Sequence, residues 1–204
     1  DGSEYPIQEK AVSEFIALQK EQSGDDMLYR TEFLNPFTYN DGAMYSVYAL
    51  STFNSMCRVD YSDMFGEIGL SASKSNNRYV YYETTPVTNM FLNIKYLIDK
   101  DDTEIVDTTY FNEIATADES VMYENKAYIP MGFMADKGFA EYKLHDTSQL
   151  PIITQNEMFG MATGLEGDVL EIIEPEKLSG NTEKLEPKEG YDYYYSYNNK
   201  GSTA

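Results

Sequence analysis

No part of this chain stays apolar for long. The longest segment free of charged side chains, around Ala43 to Cys57, is shorter than the ~20 apolar residues a bilayer span requires, and it is interrupted by Tyr, Ser, Thr and Asn. A chain patterned this way can build only short amphipathic elements, and no membrane-crossing helix is expected in it. Apolar residues still make up 42% of the sequence and aromatics 14%, enough for a packed core, so a net charge of −20 does not place it among disordered chains. At 204 residues the expectation is one domain, or one with an appended piece.

The charge itself excludes partners. With 35 acidic and 15 basic residues the chain repels phosphate backbones and anionic lipid surfaces at long range, whereas nucleic-acid binders need Lys and Arg to displace counterions. No nucleic-acid partner is expected. The single Cys57 rules out an intrachain disulfide, a thiolate zinc site and an iron–sulfur cluster. Likewise the single His145 rules out a multi-histidine metal site. It lies in the polar stretch Tyr142 to Pro151, so a solvated loop histidine is the simplest reading, and a small buried core residue is the simplest reading of Cys57. The chain opens Asp1-Gly2-Ser3 with no Met, basic n-region or apolar h-region. No secretory signal is expected in it, and its ends are expected to be excision points from a longer protein.

Periodicity supplies the elements. Pro6 to Gln22 places Ile7, Ala11, Phe15 and Leu18 on one stripe, widened by Val12 and Ile16, and predicts a helix with Pro6 at its first turn and a Gly24 stop. Met27 to Leu34 alternates Tyr29, Thr31 and Phe33 against Arg30 and Glu32, a strand pattern that Asn35-Pro36 ends. Tyr45 to Leu50 is a further strand candidate. Asp60 or Ser62 can cap a short helix carrying Met64, Phe65 and Ile68 and closing at Gly69. Ser71 to Arg78 is expected to be a loop and Tyr79 to Tyr82 a strand.

Thr85-Pro86 is a cap and first position for a helix with Val87, Met90 and Phe91. Lys95 to Ile98 and Glu104 to Thr109 are expected to form a hairpin about Asp99-Lys100-Asp101-Asp102. That acidic turn lacks the Gly and Glu spacing of an EF-hand, so a solvated turn is the better reading. Val121 to Tyr123 and Met131 to Ala135 are short strand candidates around an Asn125 to Pro130 turn. Thr154-Gln155-Asn156-Glu157 matches a capping box for a helix ending at Gly164, and Val169 to Ile173 gives one more strand.

Residues 174–204 turn to Glu, Lys, Pro and Gly and then to Tyr191 through Tyr197. They predict a linker followed by an edge strand or the start of a next domain, after an α+β domain over residues 1–173. The fold class expected is α+β, a mixed sheet with about four short helices packed on it.

Catalytic motifs are missing. No phosphate-binding glycine loop is present, and 35 acidic residues offer too many carboxylate pairs for spacing to select one. Nineteen tyrosines could stack on sugar rings, although half-buried strand positions are the simpler place for them.

Four segments, in order, resemble the YfhO family of bacterial multi-spanning membrane proteins. The first is Leu28-Tyr29-Arg30, followed by Asn40 and by Ser51-Thr52-Phe53-Asn54-Ser55, similar to the family's Phe-Ser-Ser stretch. Gly66 to Leu70 with Gly69 is the second. The third runs from Thr85-Pro86-Val87 through Asn93-Ile94-Lys95-Tyr96 to Ile98, similar to the family's Pro-x-x-Asp-Ser-Leu-Leu-Gly-Ile-Lys-Tyr run. The fourth, Val121-Met122-Tyr123-Glu124-Asn125 through Ile129-Pro130-Met131-Gly132-Phe133, is similar to its Tyr-Glu-Asn and Leu-Pro-Leu-Gly-Phe segment, and Gln155-Asn156 through Thr163-Gly164 adds a further match to its Gln-Asn and Leu-Thr-Gly helix. Asn89 stands where the family usually has Asp, Asn93 where it has Gly, and Asn54 interrupts the serine pair.

The resemblance implies a membrane glycosyltransferase of the GT-C type that uses a polyprenyl-phosphate sugar and adds sugars to lipoteichoic acid or another envelope glycopolymer. It implies that this chain is a soluble domain on the extracytoplasmic face of the cell membrane, beside the transmembrane region of its parent chain. The family's catalytic carboxylate lies in a loop not contained here, so no catalytic residue, metal or cofactor is expected. Weak substrate-binding candidates are Arg30, for a polymer phosphate, with Asn40, Ser55 and Tyr96 near a sugar. The other expectation is a carbohydrate-binding or scaffold module with no transferase role.

Overall fold

The computed structural model describes residues 8–24, 28–73, 75–82, 84–104, 106–144, 150–173, 176–177, 183–184 and 186–194. The first amphipathic stripe forms helix α1, Glu9–Ser23, which buries Ala11, Val12, Phe15, Ile16 and Gln19. Each large apolar side chain buried there contributes about 1.5–3 kcal/mol relative to exposure. The helix starts three residues after Pro6, behind Gln8 at φ 56, and ends on Gly24 at φ 55. Pro6 lies outside the described residues.

Strand β1, Arg30–Phe33, runs parallel to a strand far along the chain, Ile94–Asp99. The intervening chain builds a second layer: α2, Asp41–Met44; β2, Thr52–Phe53; α3, Val59–Glu67; β3, Ser71–Ser73; β4, Arg78–Val80; and α4, Pro86–Phe91. Then come β5, Ile94–Asp99, β6, Phe111–Ala117, β7, Ser120–Asn125, a 3-10 turn at Lys137–Glu141, and α5, Pro151–Thr163. The main sheet has the order β1-β5-β7-β6, antiparallel apart from β1 with β5. The small sheet is β2-β4-β3, antiparallel throughout, and Glu176–Lys177 pairs with Glu183–Lys184 in a third ladder. This is an α+β fold with a mixed sheet, as expected.

β5 is buried on both faces, as its near-continuous apolar run dictates. On one side Tyr96 and Ile98 pack with Val12, Phe15, Ile16, Phe33 and Met122 beneath α1. On the other, Ile94 and Leu97 pack with Leu50, Phe65, Ile68, Leu70, Tyr81, Leu92 and Phe111, the core shared with the small sheet. The helix after Thr85-Pro86 forms as predicted, with Thr85 Oγ1 accepting from Thr88 N at 3.3 Å and Pro86 at the first position.

Several expectations are corrected, each for a local reason. Residues 45–50 are not a strand: the chain continues the turn of α2, with Val47 N donating to Gly42 O at 3.0 Å and Ser46 at φ 57. Ser71 to Arg78 is not a loop, because Ser71–Ser73 pairs with Arg78–Val80 about a turn containing Asn77 at φ 49. The hairpin of 95–98 with 104–109 does not form, since both edges of β5 are taken by β1 and β7. Asp99 is buried, not solvated; its carboxylate accepts from Asp101 N at 3.3 Å and Glu104 N at 2.8 Å and so fixes the turn.

Met131 to Ala135 is an exposed loop. The capping box at Thr154–Glu157 is not the start of its helix, which begins at Pro151 and buries Thr154, Gln155 and Asn156; the Gly164 stop is present at φ 73. Val169 to Ile173 forms no strand, because Asn156 Oδ1 takes Val169 N and Leu170 N at 3.2 and 3.0 Å while its Nδ2 donates to Leu170 O at 2.8 Å. Cys57 is half-buried, with Sγ 3.7 Å from Ser62 Oγ, and is not a core residue.

The elements α2, β2, β6, the 3-10 turn and the ladder of Glu176–Lys177 with Glu183–Lys184 have no counterpart in the sequence reading. Residues 191–194 form no strand, but the Tyr194 hydroxyl donates to Asp107 Oδ2 at 2.6 Å and its ring meets Tyr110. The rest of the tyrosine-rich tail, like His145, lies outside the described residues.

Candidate functional site

The small sheet gathers a residue type that the chain otherwise lacks. Arg30, Arg58 and Arg78 are its three arginines. Arg58 and Arg78 each lie over a tyrosine ring, and the charge of Arg30 acts on Tyr79 of β4. Arg78, within β4, donates to the Tyr39 hydroxyl at 3.1 Å, with its guanidinium carbon 5.2 Å from the Tyr39 ring centre. Arg58, directly before α3, lies 5.2 Å over the Tyr61 ring and pairs with Asp60 at 2.7 Å, both side chains largely exposed. Arg30 opens β1, donates to Leu92 O at 2.7 Å, and closes the last turn of α4.

Tyr79 links these groups. Its ring packs on Phe65 at 4.5 Å, and its phenol is pushed up by burial and then by Cys57 and Tyr61, while the Arg30 charge pulls it down. Burial lowers the Arg30 guanidinium, and the nearby Glu32 opposes that. Such an array of planar cations beside aromatic faces suits a phosphate or a sugar ring, since guanidinium forks bind anion oxygens and tyrosines stack on C–H faces.

Asn40 holds this sheet together. Its Oδ1 accepts from Phe53 N at 2.9 Å and Thr52 Oγ1 at 3.1 Å, and its Nδ2 donates to Phe53 O at 3.1 Å. One amide therefore satisfies both backbone groups of Phe53 on an edge strand. Ser55 is exposed in the turn after β2, where Cys57 N donates to Asn54 O at 2.8 Å.

Tyr96 lies apart from the other three, in the core beneath α1. It is 0% exposed, its hydroxyl meets Ser23 Oγ at 3.1 Å, and Tyr29 packs edge-on against its ring. Lys95 is surrounded there by the rings of Tyr29, Tyr96 and Tyr128, 5.1 to 5.4 Å away. The structure thus brings Asn40 and Ser55 to the small sheet, sets Arg30 at the start of β1 in the main sheet, where its charge reaches Tyr79, and leaves Tyr96 in the core. Sequence reasoning missed Arg58, Arg78 and Tyr39. The signal available was the scarcity of arginine itself, which makes any gathering of the three informative.

Behind the sheet, Glu32 is 1% exposed. It accepts from Leu50 N and from Ser51 Oγ at 2.8 Å, and burial raises its carboxyl to about 7 against those hydrogen bonds and the Arg30 charge. A second buried charge, Lys100, donates to Asp41 Oδ2 at 2.7 Å. Burial alone would raise the Asp41 carboxyl, but the Lys100 and Thr38 hydrogen bonds hold it low.

A separate open groove of about 650 Å³ runs beside α5, lined by Tyr142, Lys143, Glu157, Met161, Leu165 and Asp168 among others. Burial and then Glu157, whose carboxylate accepts from the Tyr142 hydroxyl at 3.3 Å, push that phenol up to about 12. Among the described residues no group of His, Cys, Asp and Glu could hold a metal ion.

The family-like motifs fall on backbone needs. Asn93 sits at φ 58, where Gly is least strained and Asn is the best substitute. Asn89 Oδ1 accepts from the Tyr81 hydroxyl at 3.0 Å and Thr84 Oγ1 at 2.5 Å, a task that an Asp oxygen would do equally. Asn125 Nδ2 donates to Ile94 O at 2.9 Å while its Oδ1 fixes the following turn through Ala127 N. No curated protein and no solved structure matches the chain. The family model described as "Bacterial membrane protein YfhO" matches residues 3–201. That span includes the arginine–tyrosine sheet, the capped helix α4 and the Asn125 turn, and on it the chain belongs to the YfhO family of bacterial membrane proteins.

Proposed function

We propose that this chain is a non-catalytic extracytoplasmic domain of a membrane glycosyltransferase-like protein, and that its arginine–tyrosine sheet shapes the site for an envelope glycopolymer such as lipoteichoic acid. The observation that carries the reading is that Arg58 and Arg78 each lie over a tyrosine ring about the small sheet, with the Arg30 charge acting on Tyr79 of β4, in a chain of net charge −20. A polyphosphate is repelled by the chain as a whole, so any productive contact must be local, and Arg58 with Arg78 provides it. Transfer from a polyprenyl-phosphate sugar belongs to the membrane-embedded part of the parent, the domain's other partner. No helix among the described residues is long and apolar enough to cross a membrane.

The test is sugar addition to the envelope polymer in cells at matched expression. Arg58→Ala and Arg78→Lys are expected to reduce it by roughly tenfold or more, the worth of a charge-assisted hydrogen bond, with the melting temperature of the chain little changed. Arg30→Lys weakens the contact to Leu92 O and so shifts stability as well, which makes it the less clean probe. Unchanged polymer glycosylation in the Arg58 and Arg78 variants would end the proposal.

The groove beside α5 favours a second reading, a carbohydrate-binding module. Tyr142 offers a ring face, and Glu157 and Asp168 offer acceptors for sugar hydroxyls. That reading expects the isolated chain to bind a neutral oligosaccharide and Tyr142→Ala to abolish the binding.

A further inference from the structure

The fourth family-like segment ends in a loop that the fold does not use. Residues 130–137 are exposed without a break, and the stretch Ala127 to Ala135 carries no charge. Met134 is 99% exposed, Met131 50% and Phe133 39%, the last touching Phe91 with ring centres 6.0 Å apart. A side chain added at Gly132 would meet nothing within 4 Å, so the loop stands clear of the body. Yet both ends of the loop are fastened. Asn93 Nδ2 donates to Ile129 O at 2.9 Å, Asp136 N donates to Ala162 O at 2.9 Å, and Asp136 Oδ1 accepts from Gly138 N at 2.8 Å.

An apolar projection held this way in a water-facing position needs an occupant. The chain belongs to a family of membrane proteins, and no helix among its described residues is long and apolar enough to span a bilayer, so a lipid contact made by those residues would be a surface contact of this kind. The surroundings fit a lipid–water boundary better than a protein groove. Lys126 and Asp136 bound the charge-free run, with Lys137 next along the chain, and Tyr128 sits half-buried at its base, an amphipathic ring placed where headgroups would lie while apolar tips enter the acyl region.

We propose that the 130–137 loop inserts Met131, Phe133 and Met134 into the headgroup–acyl boundary of a lipid bilayer and so fixes one face of the domain to the membrane. The net negative charge of the chain opposes anionic lipid at long range, so the loop binds by burial of apolar surface.

The chain contains no Trp, so Met134→Trp gives a single reporter. With phosphatidylcholine vesicles, with or without phosphatidylglycerol, its emission is expected to shift to the blue and to be quenched by bromine-labelled acyl chains. In vesicle flotation the double variant Met131→Asp/Met134→Asp is expected to lose association by more than about tenfold while melting like the parent, since neither side chain is in the core. The proposal is overturned if neither lipid mixture shifts the emission, or if the aspartate variant floats as the parent does. A blue shift that grows with protein concentration in the absence of lipid would also overturn it, showing that a second copy covers the loop.

Discussion

Glu32 shows how a strand that alternates in sequence can be buried on both faces. The pattern of β1 put Thr31 and Phe33 inside and Arg30 and Glu32 outside, but the second layer folds over that outer face and Glu32 becomes a receptor for Leu50 N and Ser51. Its carboxyl is raised to about 7, above the ordinary 4.5, mainly by burial. Between those values the folded chain holds a proton that the unfolded chain has released, so this group's contribution to stability is full below pH ~4.5 and is lost as pH rises through ~7. At about 1.4 kcal/mol per unit the loss is on the order of 3 kcal/mol. Glu32→Gln is therefore expected to flatten the stability profile between pH 5 and 7 relative to the parent and to melt higher than the parent at pH 8. Urea denaturation of both proteins across that range checks it. A parallel slope in the two would show that Glu32 is not the titrating group.

Among the elements, α4 is the one whose local chemistry and tertiary role coincide. Thr85 Oγ1 caps the helix through Thr88 N and also donates to Gln155 Oε1 at 2.5 Å, and Gln155 Nε2 in turn donates to Ile68 O at 2.9 Å. The cap thus ties α4 to α5 and to the end of α3. Thr85→Ala is expected to cost about 2–4 kcal/mol, a cap of ~1 plus a lost buried hydrogen bond, while Thr85→Ser stays within about 1 kcal/mol. Equal losses in the two variants would mean that the Thr85 methyl group, not its hydroxyl, does the stabilising. The helices α1, α3 and α4 were legible because apolar spacing, and for α4 the Thr85 cap, are properties of adjacent residues; the cap expected of α3 at Asp60 or Ser62 is not used, since that helix starts at Val59 behind Arg58 and takes both residues inside it. β3 and β6 were not, because Ser-Ala-Ser and a stretch with Asn112 and Glu113 become strands only when β4 and β7 present backbone partners.

Across the whole molecule the charge of −20 acts on stability and on binding alike. Self-repulsion among surface carboxylates falls as the screening length shortens from roughly 10 Å at 0.1 M salt toward 3 Å at 1 M. Added salt is expected to raise the melting temperature by several degrees, at about 2–4 °C per kcal/mol for a chain of this size. Affinity for an anionic glycopolymer is expected to strengthen over the same titration. A steep fall in affinity with salt would show a continuous basic surface in place of a local arginine–tyrosine contact.

Some of this was settled by the sequence alone. Short elements, the α+β class, the acidic character and the YfhO resemblance all follow from composition, local spacing and motif order, which survive any arrangement of the chain in space. The remainder required the fold. That the Arg30 charge reaches Tyr79 of the small sheet depends on how the second layer folds against β1, and that Met134 is bare depends on what the rest of the chain leaves uncovered. Tyr96 shows the difference most plainly: its neighbours in sequence resembled a family motif, and its place under α1 was decided by the pairing of distant strands, since burial is a property of the packed molecule and not of any one stretch of it.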